Sequence, residues 1–327
     1  MSKFTWLHLT DLHCGMKEQD HLWSNIRDKF FDDLKRMQER TGQWDAVLFT
    51  GDLVQYGAAS EFERLEKLLD KLWNMFNELG VNPVLIAVPG NHDLVRPTPK
   101  SPTVRLLSKW ESNPEVHDEF WDEPDSEYRK VVDEAFANYS NWWEKNISKH
   151  TLPIQAGLLP GDFSVSLDSN GLKIGIVGLN ATFLQLTSGD YTERLALHPK
   201  QFSNVCGCND KDSAEWLKQH HTNLLMTHQP PSWLDKQSQE SLNSEIAPAG
   251  RFTAHLFGHM HEHMIHDQSV GSGPQRRSRQ GCSLFGLEQY GEEKKVDRRH
   301  GYSIHQMDVN GTSGQMRMWP RLAKKHS

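Results

Sequence analysis

Hydrophobic and polar positions in the first 90 residues alternate between short apolar runs and longer stretches with helical spacing. The runs Phe4–Asp11, Asp45–Thr50 and Val84–Val88 are short, apolar and closed by polar residues or glycine, which is typical of buried strands. Between the first two runs, Lys17–Arg40 carries apolar residues three and four positions apart, which predicts an amphipathic helix. With a second helix before the third run, this order predicts right-handed βαβ units and a parallel sheet.

The second helix has explicit start and stop signals. Ser60 followed by Glu63 predicts a capping box at its start, and Gly80 predicts its end. Between them lies one apolar face, formed by Leu65, Leu68, Leu69, Leu72 and Phe76. We therefore expect this helix to pack that face against the predicted sheet.

Residues 94–150 differ in character from the chain on either side. The segment opens with three prolines, holds ten acidic and two basic residues between positions 111 and 134, and ends in an aromatic helix. We interpret it as a helical cap inserted into a core formed by residues 1–93 and 151–327. Packing against the sheet is favoured over stacking on nucleic-acid bases for the aromatic residues of the helix, which are Phe136, Tyr139, Trp142 and Trp143.

After this insertion the pattern becomes rich in strands. Phe163–Asp168 and Lys173–Leu179, joined by a Ser-Asn-Gly turn, predict a hairpin. The other predicted strands are Asn223–Thr227, Phe252–Phe257, Leu284–Leu287, Tyr302–Val309 and Met316–Trp319. The glycine- and arginine-rich stretch Gly271–Gly281 is predicted to be a mobile loop.

Composition excludes several classes of protein. The 327 residues are 36% hydrophobic and 24% charged, which allows a real core and argues against disorder. No apolar stretch approaches the roughly 20 residues of a membrane span, and we expect the first nine residues to be mature sequence and not a signal peptide. The net charge of −7 argues against indiscriminate coating of nucleic acid. Four scattered cysteines indicate a reducing, cytoplasmic setting without a disulfide framework, and we interpret them as non-ligands.

Polar clusters follow directly after five of the predicted strands. They are Asp11/His13, Asp52, Asn91-His92-Asp93, His228 and His259/His261. Ligands of open α/β sheets bind beyond the carboxyl ends of the strands, so we expect these clusters to converge on one rim. Imidazole, carboxylate and amide oxygen are donors for Mn²⁺, Fe, Zn²⁺ or similar ions. Seven such groups are too many for one metal ion and suit two.

The order and spacing of these motifs resemble the calcineurin-like metallophosphoesterase superfamily, from about residue 4 to residue 265. The motifs that carry the resemblance are Asp11-x-His13, Gly51-Asp52, Gly90-Asn91-His92-Asp93, His228 and Gly258-His259-x-His261. The resemblance implies an α/β fold in which helices flank a two-sheet β-sandwich. It also implies a hydrolase of phosphoester bonds that uses two divalent metal ions. Mn²⁺ is favoured, and Fe, Zn²⁺, Ni²⁺ and Mg²⁺ are alternatives.

The same resemblance implies a role for each motif residue. The first metal ion would be held by Asp11, His13 and His261, and the second by Asn91, His228 and His259, with Asp52 bridging the two. A hydroxide between the metal ions would attack phosphorus. His92 would assist the leaving oxygen and Asp93 would orient His92.

Departures from the patterns of individual branches narrow the activity. Protein serine/threonine phosphatases read Asn-His-Glu where this chain has Asn-His-Asp, and purple acid phosphatases place a metal-binding tyrosine where this chain has Gln55. The histidine at position 261 is similar to that of the phosphodiesterase and nuclease branches. We therefore expect a phosphodiesterase of bacterial type acting on nucleotides or nucleic acid, either DNA or RNA.

Two alternatives and a further partner stay open. A phosphomonoesterase acting on a small metabolite or nucleotide is the first alternative. A gated metal-binding sensor or interaction module with little turnover is the second. The segments that begin at Trp6 (Trp-Leu-His-Leu-Thr-Asp-Leu-His), Gly178 (Gly-Leu-Asn-Ala) and His300 (His-Gly-Tyr) are similar to a group of bacterial metallophosphoesterase domains that are often fused to further modules. This second, weaker resemblance adds a protein partner or fused module to the candidates.

Basic and aromatic residues outside the motifs are candidates for binding substrate. Arg96 comes shortly after the Asn-His-Asp motif. We expect it either to contact a substrate phosphate or to form a salt bridge with the acidic cap. Arg276, Arg277 and Arg279 follow the last metal motif; a solvated loop is the simpler interpretation, yet their location supports contact with nucleic acid. Trp233 is expected to shape a pocket wall beside the histidine at position 228. A second basic group consists of Lys294, Lys295, Arg298 and Arg299.

Overall fold

The structure is a computed structural model. It describes residues 2–16, 19–207, 210–261, 263–269, 273–285, 288–290, 295–297, 300–310 and 313–323, with side chains outside 19–25, 210–212, 288–290 and 295–297. Its strands are β1 (Ser2–Leu9), β2 (Ala46–Thr50), β3 (Val84–Val88), β4 (Ile154–Ala156), β5 (Phe163–Ser169), β6 (Leu172–Gly178), β7 (Thr222–Met226), β8 (Ala254–Phe257), β9 (Met264–Gln268), β10 (Arg276–Gln280), β11 (Glu288–Tyr290), β12 (Lys295–Asp297), β13 (Gly301–Asn310) and β14 (Ser313–Leu322).

The helices in the same part of the chain are α1 (Gln19–Thr41), α2 (Ala59–Glu78), α3 (Pro102–Leu107), α4 (Pro114–Asp122), α5 (Glu127–Ala135), α6 (Ala137–His150), α7 (Pro199–Cys206), α8 (Asp210–Lys218) and α9 (Lys236–Ser241). Short 3₁₀ turns span Trp110–Ser112 and Pro231–Trp233, and a π-type turn spans Leu242–Ile246. No helix among the described residues is long and apolar enough to cross a membrane.

Two large sheets form the core. The first has the order β14-β13-β1-β2-β3 and the second β4-β5-β6-β7-β8-β10-β9, while β11 and β12 form a separate pair. β1 contacts β5 and β6, so the sheets pack on each other, and the helices flank them. The predicted α/β fold with a two-sheet β-sandwich is therefore confirmed.

The predicted βαβ units are present. β1, β2 and β3 run parallel, with α1 and α2 as the crossovers, and β6, β7 and β8 run parallel in the second sheet. The predicted hairpin is β5 and β6, whose turn holds Asn170 and Gly171 at positive φ. Both parallel sets direct their carboxyl ends to the rim where the polar clusters follow.

The start of α2 differs from the prediction. The helix begins at Ala59 and its N-cap is Ala58, so Ser60 lies inside the first turn. The Glu61 carboxylate accepts hydrogen bonds from the backbone N–H groups of Tyr56, at 2.8 Å, and Ala58, at 3.1 Å. The capping carboxylate is therefore two residues earlier than the predicted Glu63, because the free N–H groups of the loop precede it.

The stretch predicted as a mobile loop contains a strand. β10 pairs parallel with β8 and antiparallel with β9, so both of its edges are hydrogen-bonded. Its sequence is polar, and a strand held by two neighbours does not need the hydrophobic alternation on which the prediction depended. The prediction of a strand at Leu284–Leu287 is also wrong where the structure describes it, because Leu284 and Phe285 form a turn; residues 286 and 287 lie outside the described ranges.

The aromatic residues of α6 pack the inserted helices against the core, as predicted. Trp142 stacks on Phe62 of α2 with ring centroids 5.8 Å apart. The Tyr139 hydroxyl donates to the carbonyl of Ala87 in β3 at 3.0 Å. Both rings are buried, so neither is available for stacking on a base.

Candidate metal centre

The seven candidate ligands follow the carboxyl ends of five strands. Four strands place a ligand two residues beyond their last residue: Asp11 after β1, Asp52 after β2, His228 after β7 and His259 after β8. Asn91 comes three residues after β3. The convergence on one rim that the sequence predicted follows from this shared placement.

The backbone at these residues adopts an uncommon conformation. Five of the eight described non-glycine residues with positive φ are candidate ligands, namely Asp11, His13, Asp52, His259 and His261. The left-handed region costs an L-residue on the order of 1–2 kcal/mol, although aspartate and histidine enter it more readily than most residues. Concentration of this strain at one rim indicates that the side-chain directions there are selected for function.

Two motif glycines leave space that no other residue would leave. A Cβ atom on Gly90 would lie 2.2 Å from Oδ1 of Asp52, and one on Gly51 would lie 2.5 Å from Nδ1 of His228. Gly51 also has φ +89°. Glycine is therefore required at both positions for the loops to approach the candidate ligands closely.

One group of candidate ligands is formed by Asp11, His13 and His261. Their ligand atoms all lie within 4.8 Å of one another. Nε2 of His261 is 3.3 Å from Oδ1 of Asp11, and Nε2 of His13 is 3.9 Å from the same oxygen. Thr10 holds the other Asp11 oxygen, donating to Oδ2 at 2.6 Å.

A second group is formed by Asp52, His228 and His259, again with ligand atoms within 4.8 Å. Nε2 of His228 is 3.3 Å from Oδ2 of Asp52 and 3.2 Å from Oδ1 of Asn91. The Nδ1 atom of His228 is 2.7 Å from the Thr50 carbonyl oxygen, which orients the ring. Asp52 also lies 3.9 Å from His13, so its carboxylate stands between the two groups.

The chemistry of these residues fits a pair of divalent ions. Asp11 Oδ1 and both ring nitrogens of His13 are buried and have no hydrogen-bond partner. Buried polar atoms are normally paired, so unpartnered nitrogen and oxygen atoms within this group indicate that a ligand completes it. Burial raises the pKa of Asp52, but the neighbouring His228 and His92 outweigh it and hold that pKa well below its usual range. Asp52 and Asp11 thus place two carboxylates in one buried site, which favours the binding of cations.

His92 lies beside the first group of ligands. Its ring is perpendicular to that of His13, with centroids 4.8 Å apart. The Nδ1 atom is 2.8 Å from the carbonyl oxygen of Gln55. Because a carbonyl only accepts hydrogen bonds, Nδ1 carries the hydrogen and Nε2 is the atom available to a substrate. The Gln55 contact has no signal in the sequence, since any residue supplies a carbonyl.

A family model supplies the decisive comparison. The model of calcineurin-like phosphoesterases matches residues 4–263 of the sequence. The chain belongs to the calcineurin-like phosphoesterase family. No curated protein matches the sequence.

Solved structures similar to this calcineurin-like phosphoesterase are distant in sequence. A dimetal phosphatase from Danio rerio is 10% identical with a TM-score of 0.47, and the alignment covers 98% of this chain and 97% of that one. A purple acid phosphatase from yellow lupin is 12% identical with a TM-score of 0.47; the alignment covers 93% of this chain and 49% of that one. Vacuolar Protein Sorting 29 from Cryptosporidium parvum is 12% identical with a TM-score of 0.33, covering 99% and 100%.

Asp93 of this calcineurin-like phosphoesterase is fully buried, and its hydrogen bonds go to the backbone. It accepts from the N–H groups of Gly90, at 2.8 Å, and Val54, at 2.9 Å. Burial, together with the charge of Asp52, raises the pKa of Asp93 to about 7. The sequence predicted that Asp93 would orient His92. Its described hydrogen bonds join the loop that carries His92 to the loop that follows β2, and the His92 ring is held by the carbonyl of Gln55.

The four arginines proposed to bind substrate lie in different surroundings. Arg96 is exposed and forms no ion pair with any described residue. Arg279 is buried and pairs with Asp267, so its charge is already neutralised. Arg276 and Arg277 line a cleft that is separate from the metal ligands. Of the second basic group, the side chain at 295 and residues 294, 298 and 299 lie outside the described part of the chain.

Trp233 adjoins the second group of candidate ligands in this phosphoesterase. Its ring meets that of His259 edge to face, with centroids 4.1 Å apart and an interplanar angle of 84°. The segment Pro231–Trp233 turns the chain back from His228 towards this contact. The half-buried indole thus forms one wall beside the site, where the sequence placed it.

Proposed function

We propose that this calcineurin-like phosphoesterase is a dinuclear-metal phosphodiesterase that acts on nucleotides or nucleic acid. In this proposal Asp11, His13 and His261 hold one ion, Asn91, His228 and His259 hold the other, and Asp52 is shared. Mn²⁺ is the favoured metal, since the mixed histidine, carboxylate and amide donor set suits it. The two ions, when bound, supply Lewis acidity to the phosphoryl oxygens and activate the attacking water.

The observation that carries the proposal is that most of the exposed large hydrophobic side chains lie close in sequence to the candidate ligands. Among the described residues, the exposed large hydrophobic side chains are Tyr56, Val95, Leu106, Met260, Met264, Ile265 and Leu322. All but Leu106 and Leu322 lie within four residues of Asp52, Asp93, His259 or His261. Exposed apolar side chains that follow the ligand-bearing segments this closely in sequence support binding of organic groups beside the site. A diester carries such a group on each side of phosphorus.

The loops that carry Tyr56 and Val95 meet next to the segment that carries His92. A Cβ atom on Gly57 would lie 2.3 Å from the carbonyl carbon of Leu94, so the two loops are in direct backbone contact. Tyr56 is 64% exposed and follows the residue whose carbonyl holds the His92 ring. This arrangement supports a role for His92 at the leaving oxygen, with Tyr56 contacting the organic part of the leaving group.

The charge around the carboxylates also supports a diester. The described contacts of the Asp11 and Asp52 side chains are histidines, Thr10 and backbone N–H groups, with no lysine or arginine. A phosphomonoester carries about −1.5 to −2 charges at pH 7, whereas a diester carries one. Fewer protein cations are needed for the diester.

A substrate panel with Mn²⁺-loaded protein tests the proposal. It compares a bis-nitrophenyl diester, a nitrophenyl monoester, cyclic nucleotides, and single- and double-stranded DNA, with Asp52→Asn as the inactive control. We expect cleavage of the diesters and of at least one nucleotide or DNA substrate. Tyr56→Ala should raise KM for them, and Tyr56→Phe, which keeps the ring, should not. Turnover of the monoester with inert diesters would overturn the proposal.

A phosphomonoesterase is the second candidate, and one observation favours it. The guanidinium of Arg96 is exposed, has no ion pair with any residue that the structure describes, and follows the Asn-His-Asp motif by three residues, so it can neutralise a second phosphate charge. In that case Arg96→Gln would reduce monoester turnover and leave diester turnover unchanged. Equal turnover of monoesters by this variant and the unmodified protein would remove Arg96 from substrate binding.

We also propose a reducing, cytoplasmic setting. Among the described residues, Cys14, Cys206 and Cys282 are all buried free thiols. Burial raises the pKa of Cys206 above its usual range, which favours the unreactive thiol. Thiol titration of freshly purified protein under denaturing conditions should find four free cysteines. A disulfide would contradict this setting.

A further inference from the structure

The segment formed by residues 281–285, which follows β10, lies against the loop that carries Asp11. A Cβ atom on Gly281 would lie 2.7 Å from Cγ2 of Thr10, so the segment approaches the end of β1 more closely than a larger residue would allow. Leu284 and Phe285 fix the other end, since both side chains are buried in the core. The segment is therefore held in place independently of the candidate ligands.

Three hydrogen bonds from this segment hold the two peptide groups that flank Asp11. The N–H of Leu284 donates to the carbonyl of Thr10 at 2.9 Å. The hydroxyl of Ser283, at 2.8 Å, and the N–H of Phe285, at 3.2 Å, both donate to the carbonyl of Asp11. Because a peptide group is planar, fixing the groups on both sides of a residue fixes its φ and ψ. The segment therefore sets the direction in which the Asp11 side chain leaves the backbone.

The backbone of Asp11 depends on such support. Its φ of +53° lies in the left-handed region, and a conformation of this kind persists only where the surrounding structure over-determines it. Among the three hydrogen bonds, the one from Ser283 is the only one that a side chain supplies. Both Ser283 and Asp11 are fully buried, so water does not readily replace a lost hydroxyl there.

The segment also contacts a second candidate ligand of the same group. The thiol of Cys282 donates to the carbonyl of His261 at 3.4 Å, and His261 has φ +54°. The described hydrogen bonds of Ser283 go to Asp11 and to the N–H of Gly301, and none goes to a candidate ligand of the second group. Support from this segment is thus directed to one of the two groups.

We propose that Ser283 is a positioning residue for the first metal ion, the ion assigned to Asp11, His13 and His261. By holding the carbonyl of Asp11, its hydroxyl keeps the carboxylate directed at this ion and strengthens binding of this ion alone. The inference rests on the metal assignment in the proposed function and is independent of the substrate.

The test measures Mn²⁺ binding to metal-free full-length protein by calorimetry, in two variants that each keep one group of ligands. His228→Ala with His259→Ala keeps the first group and is called the first-group variant. His13→Ala with His261→Ala keeps the second group and is called the second-group variant. Each variant then reports the affinity of one ion.

Ser283→Ala is added to both variants, and Ser164→Ala is the matched control. Ser164 is also buried, and its hydroxyl also donates to a backbone carbonyl, that of Val205, between β5 and α7. The control therefore removes a hydroxyl of the same kind at a place remote in the chain from every candidate ligand. Circular dichroism verifies that all variants are folded.

In the first-group variant, Ser283→Ala should weaken Mn²⁺ binding by about tenfold or more, the loss typical when a residue that supports a ligand is removed. In the second-group variant it should change the affinity by less than about twofold, as for independent sites. Ser164→Ala should stay within about twofold in both.

Three results would overturn the proposal. They are equal weakening of both ions by Ser283→Ala, an unchanged affinity in the first-group variant, and no Mn²⁺ binding by the first-group variant before Ser283 is changed. A failure of the phosphodiesterase proposal is distinguishable from all three, because it shows only in the substrate panel and these measurements contain no substrate.

Hydrogen exchange gives a second readout that leaves Ser283 unchanged. Coupling between two events is reciprocal, so if the hydrogen bonds of the segment strengthen metal binding, metal binding must strengthen those hydrogen bonds. Mn²⁺ should therefore slow exchange of the Leu284 and Phe285 amides in the first-group variant and leave it unchanged in the second-group variant. Unchanged exchange in the first-group variant would contradict the proposal.

Discussion

Two of the regions in which this protein buries histidines form a contrast, because only one of them has the character of a metal site. At the rim, His13 and His228 are almost fully buried. Between the sheets, His8 and His305 are buried to the same degree, with ring centroids 6.0 Å apart. Each interior histidine has a hydroxyl partner at 2.9 Å, Thr50 for His8 and Ser303 for His305.

The two regions differ in charge and backbone, not in burial. Burial lowers the pKa of His8 to about 3, so the interior ring is neutral. Burial also acts on His228, but the negative charge of Asp52 outweighs it and raises that pKa to about 9. Carboxylates and left-handed backbone occur together at the rim, whereas the interior histidines lie on regular strands. Burial of imidazoles is therefore insufficient for a metal site; facing carboxylates are needed as well.

Asp52→Asn, at the rim, should reduce hydrolysis far more than a substitution of an interior histidine. It removes the charge shared by both groups of ligands, so we expect hydrolysis to fall by about a thousandfold or more, beyond the 10–100-fold typical of residues that only support a ligand. His305→Gln should keep kcat within about threefold, since it removes no charge from the rim. Steady-state rates with metal content measured on the same samples check both variants. Similar losses in the two variants would remove the distinction between the regions.

Metal binding should stabilise the fold through the rim alone. At a thousand times Kd, a ligand that binds only the native state adds roughly 4 kcal/mol to the free energy of unfolding. We expect Mn²⁺ to stabilise the unmodified protein and His305→Gln by this order, and Asp52→Asn far less. Urea denaturation with and without Mn²⁺ measures the difference. Stabilisation of Asp52→Asn to the same extent would place the metal elsewhere.

His92→Ala should separate catalysis from metal binding. His92 lies beside the ligands, and general acid–base assistance contributes about 10²–10⁴-fold to rate. We expect kcat to fall by about a hundredfold with both metal ions retained. Rates for diesters with good and poor leaving groups, measured together with metal analysis, check this. Loss of metal in parallel with rate would make His92 a ligand instead.

A smaller effect should appear on acidification. The folded pKa of His8, about 3, lies below the unfolded value of 6.5, so the unfolded chain binds more protons between these values and stability falls as pH decreases through them. By pH 5.5 this histidine costs about 1.4 kcal/mol relative to pH 7.5. In His8→Gln, which keeps a donor to Thr50, this loss is absent. Urea denaturation of metal-free protein at both pH values measures it; equal pH sensitivity of variant and unmodified protein would contradict it.

The part of the fold predicted from sequence is the part with strong periodicity. The βαβ units and the hairpin have hydrophobic strands bounded by turn residues, and each was confirmed. β10 was missed because its polar residues are held by two neighbouring strands, an effect of tertiary pairing that no local pattern reports. The shifted start of α2 has a similar cause, since Glu61 caps N–H groups of a loop whose path depends on the site.

The candidate site was predictable to the extent that side-chain chemistry identifies residues. Asp11, His13 and Asp52 can be recognised in the sequence by their residue type and by their position after predicted strands. The contacts that hold them involve backbone carbonyls, such as Gln55 for His92 and Thr50 for His228, and any residue could supply these. The sequence also does not show which charges are paired. Arg279 was a candidate for binding substrate, but in the structure β9 places Asp267 beside it and the two form an ion pair. Side-chain chemistry therefore identified the candidates, while their partners required the fold.

The number of metal ions bound per chain tests the central claim most directly. We predict two Mn²⁺ ions in the unmodified protein, measured by elemental analysis after equilibrium dialysis. His13→Ala with His261→Ala should leave one ion, and His228→Ala with His259→Ala should also leave one, because each pair belongs to a different group of ligands. A single ion in the unmodified protein would contradict a dinuclear centre at this rim. Two ions retained in both paired variants would contradict it as well.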